Sequence, residues 1–210
     1  HMVETMSSAG FFRIAAWESV FIAGCPRNRS YEGCYVGALA EQAGKSPYDW
    51  VFDALLETGL QIQMIMPYAA EENLRLQLGH PEMMIGTDSA VHAGTGPMSS
   101  GYPHPRSYGT FPRILGRYVR EQGIIPLEEA IHKMCGLPAK KLHWTDRGLL
   151  KEGYAADIVI LDPQTVIDRA TFENPHQYPE GIHHVLVNGQ TVIHDGEHTG
   201  ARPGQVLGRS

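Results

Sequence analysis

Strand-like and helix-like segments alternate along the chain up to about residue 142. Short apolar or β-branched runs predict strands, and segments with helical periodicity lie between and after them. Because strands separated by helices form parallel βα units, this alternation predicts an α/β fold with a parallel layer of strands. The predicted strands are Trp17–Ala23, Gln61–Met66 and Glu82–Gly86, and the predicted helices are Val36–Ala43, Tyr48–Glu57, Ala69–Leu78, Gly109–Gln122 and Leu127–Met134.

The pattern changes after residue 142, where turns and short strands replace the helices. Asn188-Gly189 separates two strand-like runs, His184–Asn188 and Gln190–His194, and this dipeptide tolerates the positive φ angles of a type I′ hairpin turn. With the earlier run Ala156–Leu161, these residues predict a β-rich, antiparallel lobe. The predicted domains are residues 3–144 and residues 145–210.

The composition restricts the class of partner. The chain has 210 residues, of which 42% are hydrophobic and 19% are charged, and its formal net charge is -6. It shows neither the ~20 apolar residues of a membrane span nor a basic stripe for nucleic acid, so we expect neither a membrane nor a nucleic acid as partner. Cys25, Cys34 and Cys135 have no paired spacing, which favours a reducing, cytoplasmic setting. The opening His1-Met2 is interpreted as the remnant of an affinity tag.

A carboxylate follows directly on a short apolar run in "MMIGTDSAVHAG", residues 83–94. Asp88 stands where α/β sheets and barrels place their chemistry, at the carboxyl end of a predicted buried strand. A helix N-cap or a turn explains an aspartate at such a place equally well, so the residue pattern alone leaves both interpretations open.

Several longer motifs accompany Asp88 in a fixed order. They are "IGTD" at 85–88, "HPRSYGTFPRILGRYV" at 104–119, "GLLKEGYAADIVILDP" at 148–163 and "FENPHQYPEGIHHVLVNGQTVI" at 172–193. Together they closely resemble the N-acyl-D-amino-acid deacylase (D-aminoacylase) family of the amidohydrolase superfamily. The resemblance implies a zinc-dependent enzyme that hydrolyses a small-molecule substrate, an N-acyl-D-amino acid, to a carboxylate and a D-amino acid. It also implies a TIM-type (β/α)8 barrel, of which this chain holds the last strands, and a small antiparallel β-sandwich lobe at its carboxyl end.

The resemblance also implies roles for individual residues. Asp88 matches the acid that activates a zinc-bound water and later protonates the leaving amine. Arg106 matches the arginine that holds the α-carboxylate of the substrate, a task that suits its planar, forked guanidinium. Asp88 directly precedes a long loop, Ser89–Tyr108, that contains Arg106, and His92 and His104 in the same loop are candidates for lining the substrate pocket.

The family's metal ligands have no counterpart in this sequence. It contains no His-x-His after an early strand and no match to the family's metal-binding cysteine or to its two further histidines. We therefore expect zinc in the complete enzyme only, held by ligands outside this chain, and a chain that alone is inactive. Two alternatives remain: a cyclic amidohydrolase such as a hydantoinase or dihydroorotase, and a non-catalytic remnant that associates through open strand edges.

Overall fold

The computed structural model describes residues 16–67 and 69–208, and they divide into two compact units. Unit 1 comprises the described residues up to Ala70, together with Ser89–Ser107 and Thr171–Gln177. Unit 2 comprises Glu71–Asp88, Tyr108–Ala170 and the described residues from Tyr178 onward. The boundary predicted near residue 145 does not coincide with this division and stays a prediction.

Unit 1 contains two strands and two helices. Strand β1 (Phe21–Gly24) is followed by helix α1 (Val36–Gln42), helix α2 (Pro47–Glu57) and strand β2 (Gln63–Ile65). The predictions of both helices are confirmed. Pro47 opens α2, and the Ser46 side chain caps the helix by accepting a hydrogen bond from the Asp49 amide at 3.2 Å. The core of this unit consists of Val20, Ile22, Cys25, Val36, Ala40, Trp50 and Ala54.

The direction of strand pairing in unit 1 differs from the prediction. β1 and β2 pair antiparallel, with Phe21 opposite Ile65, and the start of the predicted strand, Trp17–Ser19, is a 3-10 turn. A single crossover helix returns the chain for a parallel neighbour, whereas two successive helices, α1 and α2, lie between these strands. Two of the three strands predicted before residue 142, β1 and β2, therefore form and overlap their predicted ranges, but the parallel arrangement inferred for them was wrong.

Unit 2 begins with helices. Helix α3 (Glu71–Gly79) precedes Asp88. Helix α4 (Arg106–Arg113), of which the residues from Tyr108 onward belong to unit 2, leads into a π-helical stretch, Ile114–Glu121. The change of helix type follows Pro112, which has no N–H to continue the α-helical ladder. Helices α5 (Leu127–Met134) and α6 (Gly136–Lys141) complete the set, and α5 has the predicted bounds. The core of this unit is Leu78, Ile85, Ile114, Leu115, Tyr118, Ile125, Ala130 and Val166.

The segment Glu82–Gly86 is not a strand, which corrects the prediction. It is also not helical: residues 83–90 run without regular secondary structure. Ile85 is buried with 7% exposure, but its amide donates to the carbonyl of Lys133 on α5 at 3.2 Å instead of to a neighbouring strand. Met84 is 40% exposed. Only one face of this apolar run therefore enters the core, and the Ile85 amide is hydrogen-bonded to helix α5 instead of to a strand.

A four-stranded antiparallel sheet occupies the carboxyl-terminal part of unit 2. Its strands are β3 (Ile158–Leu161), β4 (Ile182–Val187), β5 (Gln190–His194) and β6 (Glu197–His198), paired in that order. Asn188 and Gly189 have φ angles of 46° and 75°, so the predicted hairpin turn is confirmed. The mixture of helices and sheet agrees with the predicted α/β class at this coarse level. No helix in the described part of the chain is long and apolar enough to cross a membrane.

The close packing around Gly116 in the π-helical stretch leads to a prediction about stability. A Cβ atom there would lie 2.5 Å from the carbonyl oxygen of Val166 and 2.6 Å from the side chain of Ile167. We expect Gly116→Ala to lower the free energy of unfolding by about 1–3 kcal/mol, because overpacking outweighs the better helix propensity of alanine. Gly79→Ala is the matched control, since a Cβ at this other helical glycine meets nothing within 4 Å. Urea unfolding in which both variants match the parent would contradict this packing argument.

Candidate functional site

The segment that precedes Asp88 holds it at the edge of a core. Ile85 is buried, and three residues later Asp88 is exposed, with a φ angle of 46°. Aspartate is one of the few residues other than glycine that tolerate this left-handed conformation. The structure therefore corrects the expectation of a buried strand end: Asp88 follows an irregular segment that is anchored at one end and reaches solvent at the other.

The loop between Asp88 and Arg106 is closed at its two ends. The Ser89 hydroxyl donates to the Ser107 hydroxyl at 2.7 Å, and these serines are the chain neighbours of Asp88 and Arg106. In the middle of the loop, the Tyr102 amide donates to the carbonyl of Ala23 on β1 at 2.7 Å. The long loop is thus tied down by polar contacts and includes one 3-10 turn, Gly96–Ser99.

Arg106 is the first residue of α4 and is partly buried. Its backbone amide donates to Nδ1 of His104 at 3.0 Å, so this ring nitrogen acts as an acceptor. The His104 ring in turn lies edge-on against Phe172, with the ring centroids 5.2 Å apart. His104 therefore helps to fix the start of the helix that carries Arg106, a contact that the sequence pattern did not indicate.

The short segment 171–177 supports the same loop, and its importance was missed in the sequence. The ring Nε2 of His176 lies 3.0 Å from the carbonyl of Gly101. Glu173 accepts a hydrogen bond from the Tyr35 hydroxyl at 2.8 Å, which lowers the pKa of Glu173 and raises the pKa of Tyr35. The motif "FENPHQYPEG" was the available signal, but it identified a family and not a contact.

His92 lines a separate feature, an open cleft of about 660 Å³ in unit 1. The end of β1, residues 60–63 and residues 99–103 form its walls, together with the charged side chains of Arg29 and Glu32. Glu32 is fixed there, because its Oε1 accepts a hydrogen bond from the Cys25 amide at 2.8 Å. Asp88, His104 and Arg106 are not among the residues that line this cleft.

The described residues do not fit a metal ion. Among them no group of three or more His, Cys, Asp or Glu side chains could hold one. The three cysteines are free thiols: Cys25 is buried, Cys34 is half-buried and Cys135 is exposed. Any catalytic metal would therefore need ligands from outside the described residues.

Comparison with known proteins places these features in a family. The model of the amidohydrolase family matches residues 33–193. D-aminoacylase of Alcaligenes xylosoxydans xylosoxydans is 42% identical over 172 residues, which cover 82% of this chain and 33% of that protein. N-acyl-D-aspartate deacylase of the same organism is 51% identical over 129 residues, which cover 61% of this chain and 24% of the relative. The chain thus spans about a third or less of the length of these relatives.

Solved structures give the same result. The crystal structure of a D-aminoacylase superposes with a TM-score of 0.76 at 38% identity, over 87% of this chain and 36% of that one. N-acyl-D-glutamate deacylase from Bordetella bronchiseptica, complexed with zinc and a phosphonate inhibitor, superposes with a TM-score of 0.76 at 33% identity. That match covers 94% of this chain and 39% of the other.

Proposed function

The chain belongs to the amidohydrolase family, and from this premise we propose that it forms part of an N-acyl-D-amino-acid deacylase, an enzyme that hydrolyses N-acyl-D-amino acids. Water adds to the amide carbonyl, the C–N bond breaks, and the products are a carboxylate and a free D-amino acid. The observation that carries the proposal is the superposition on an N-acyl-D-glutamate deacylase over 94% of the chain at 33% identity.

We propose that Asp88 is the general base of this reaction. One carboxylate can take the proton of the attacking water and then deliver it to the leaving nitrogen. Its position supports this role, because the carboxylate is exposed to a reactant while the backbone three residues earlier is fixed in the core through Ile85.

Arg106 is proposed to bind the α-carboxylate of the substrate. The bond from its backbone amide to His104 fixes the helix start from which the guanidinium extends. His104 and His92 remain proposed pocket residues. His104 is proposed to hold the start of helix α4 in place, and His92 is proposed to line the open cleft of unit 1. A guanidinium at a fixed position can bind both oxygens of a carboxylate.

The complete protein is proposed to form a (β/α)8 barrel, to which residues 3–144 contribute, with residues 145–210 as a β-sandwich lobe beside it. The distribution of elements supports this division, since all the helices α1–α6 end by Lys141 and the strands β3–β6 all follow residue 145. We also propose a cytoplasmic location, which the free thiols Cys25, Cys34 and Cys135 support.

The metal requirement provides a first test of the proposal. Related enzymes are described with a binuclear metal centre or with zinc, but the described residues offer no set of ligands for one. We expect this chain, purified alone and dialysed, to hold no stoichiometric zinc and to release no amine from N-acyl-D-amino acids. The complete protein that contains it should do both, as shown by metal analysis and an amine-release assay.

The choice of substrates separates the proposed function from the alternatives. Turnover of the N-acyl-D-amino acid, with little turnover of its L enantiomer or of a hydantoin, supports the proposal. Preferred turnover of the hydantoin favours a cyclic amidohydrolase. A complete protein that binds zinc but hydrolyses none of these substrates contradicts the proposed function. Tightly held zinc with turnover in the isolated chain contradicts the expectation that the ligands lie elsewhere.

A further inference from the structure

Lys133 on α5 is a buried lysine that the proposed chemistry does not use. Its side chain is 1% exposed, and its Nζ lies 3.2 Å from Oε1 of Glu129, one helical turn earlier. Lysine is almost never fully buried unless it is paired, because removing an ammonium group from water is costly. We therefore expect Lys133 to have a structural role beyond filling space in the core.

Lys133 contacts the segment before Asp88 at two points. Its Nζ donates to the carbonyl of His80, which also accepts a hydrogen bond from the Met83 amide at 3.1 Å. Its own backbone carbonyl accepts from the Ile85 amide at 3.2 Å. One residue thus holds both ends of the segment 80–85 against helix α5.

The two contacts of Lys133 with the segment 80–85 take the place of the hydrogen bonds that would join a strand to its neighbours. Residues 83–90 have no regular secondary structure, so the segment lacks the repeated backbone bonds that would hold a barrel strand in place. A methionine at position 133 would fill a similar volume, and the Glu129 carboxylate that loses its partner is half-exposed, so water can solvate it. Methionine cannot donate the hydrogen bond that the Lys133 Nζ gives to the His80 carbonyl. This hydrogen bond fixes the turn between α3 and Ile85.

We propose that Lys133 is a positioning residue for Asp88, acting through the segment 80–85. This inference rests on the proposed function, in which Asp88 is the general base. A carboxylate that must meet both a water and an amide nitrogen tolerates little displacement, since a misplacement of about 1 Å can cost roughly 10²-fold in rate.

The test measures turnover by the complete protein with the substitution Lys133→Met. We expect kcat to fall about 10–100-fold while KM changes little, because the reacting group and not the substrate-binding groups is displaced. In the Asp88→Asn background, Lys133→Met should cause almost no further loss of kcat, since the group that it positions is already absent. A merely structural lysine would give losses that multiply in the double variant.

Two further variants control for folding. Val166→Ala removes volume from the core that also contains Ile85 but removes none of the hydrogen bonds between Lys133 and the segment 80–85. It should therefore lower the melting temperature and leave kcat within about 2-fold. Glu129→Gln removes the charge that pairs with Lys133 and, because Glu129 is half-exposed, should fold normally. We expect from it a smaller fall of kcat in the same direction as Lys133→Met, and this variant carries the test if Lys133→Met does not fold.

Hydrogen exchange tests whether Lys133 holds the segment 80–85 in place, and it does not depend on a measurement of activity. Peptides covering residues 80–88 should exchange faster in Lys133→Met, or in Glu129→Gln, than in Val166→Ala. Unchanged exchange there, or kcat losses that multiply with those of Asp88→Asn, overturns the inference. A parent protein without turnover contradicts the proposed function and, with it, the positioning role of Lys133. A parent that loses turnover with Asp88→Asn but not with the Lys133 variants contradicts the Lys133 inference alone.

Discussion

Asp88→Asn in the complete protein is expected to lower kcat by at least ~10²-fold, with the fold and the metal content unchanged. Asparagine has nearly the same shape and tolerates the left-handed backbone that Asp88 adopts, so the substitution removes the charge without straining the chain. An amide cannot accept a proton from water at neutral pH, and the loss of a general base typically costs 10²–10⁴-fold. Steady-state kinetics beside circular dichroism and metal analysis provide the measurement.

Asp195 offers a matched control for this substitution. It is also exposed and also has a positive φ angle, 49°, but it lies in the turn between β5 and β6. Asp195→Asn should therefore leave kcat within about 2-fold, as is usual for a surface change away from a site. If both variants keep near-normal turnover, another group takes the proton. If both lose it equally, the effect of Asp88→Asn is not specific to catalysis.

Local patterns predicted helices α1, α2 and α5 well, because their determinants lie within the helices themselves. Pro47 with the Ser46 cap marks the start of α2, and the apolar spacing of Leu127–Met134 defines α5. The Asn188-Gly189 turn is equally local, since its positive φ angles depend on those two residues. Caps, periodicity and turn residues act over a few positions, so the sequence alone reveals them.

Strand pairing was not predictable in the same way. An apolar run such as Glu82–Gly86 suits a buried strand and a buried irregular segment alike, and the choice depends on a distant group. Here the carbonyl of Lys133 accepts the hydrogen bond of the Ile85 amide. The antiparallel pairing of β1 with β2 likewise depends on how α1 and α2 return the chain.

The candidate site could also be predicted from the sequence only in part. Residue types and motifs identified Asp88 and Arg106, because the chemistry of a deacylase calls for an acid and a carboxylate-binding cation. The supporting contacts come from residues far away in the sequence, such as the ring of Phe172 against His104. Contacts of this kind depend on tertiary packing, which a single sequence does not encode in any local pattern.

Arg106→Ala in the complete protein is expected to weaken kcat/KM for N-acyl-D-amino acids by ~2–5 kcal/mol, the range for truncating one partner of a buried charge pair. A site that distinguishes the two enantiomers must fix at least three substituents of the α-carbon. The α-carboxylate is the charged substituent common to all N-acyl amino acids, so a forked cation suits it. Arg106→Lys keeps the charge but loses the bidentate geometry, and its kcat/KM should fall between those of the parent and the alanine variant.

A substrate without the carboxylate tests whether Arg106 acts through that group. On the amide of an N-acyl-D-amino acid, the parent and Arg106→Ala should perform almost alike, because the guanidinium has no carboxylate to bind. Arg75→Ala, a change on the exposed surface of α3, should leave kcat/KM for both substrates near the parent value. Arg106 also begins α4, where its backbone amide bonds to His104, and the alanine variant retains that amide. An equal loss on the acid and on the amide would therefore mean that the Arg106 side chain stabilises the loop and does not bind the substrate carboxylate.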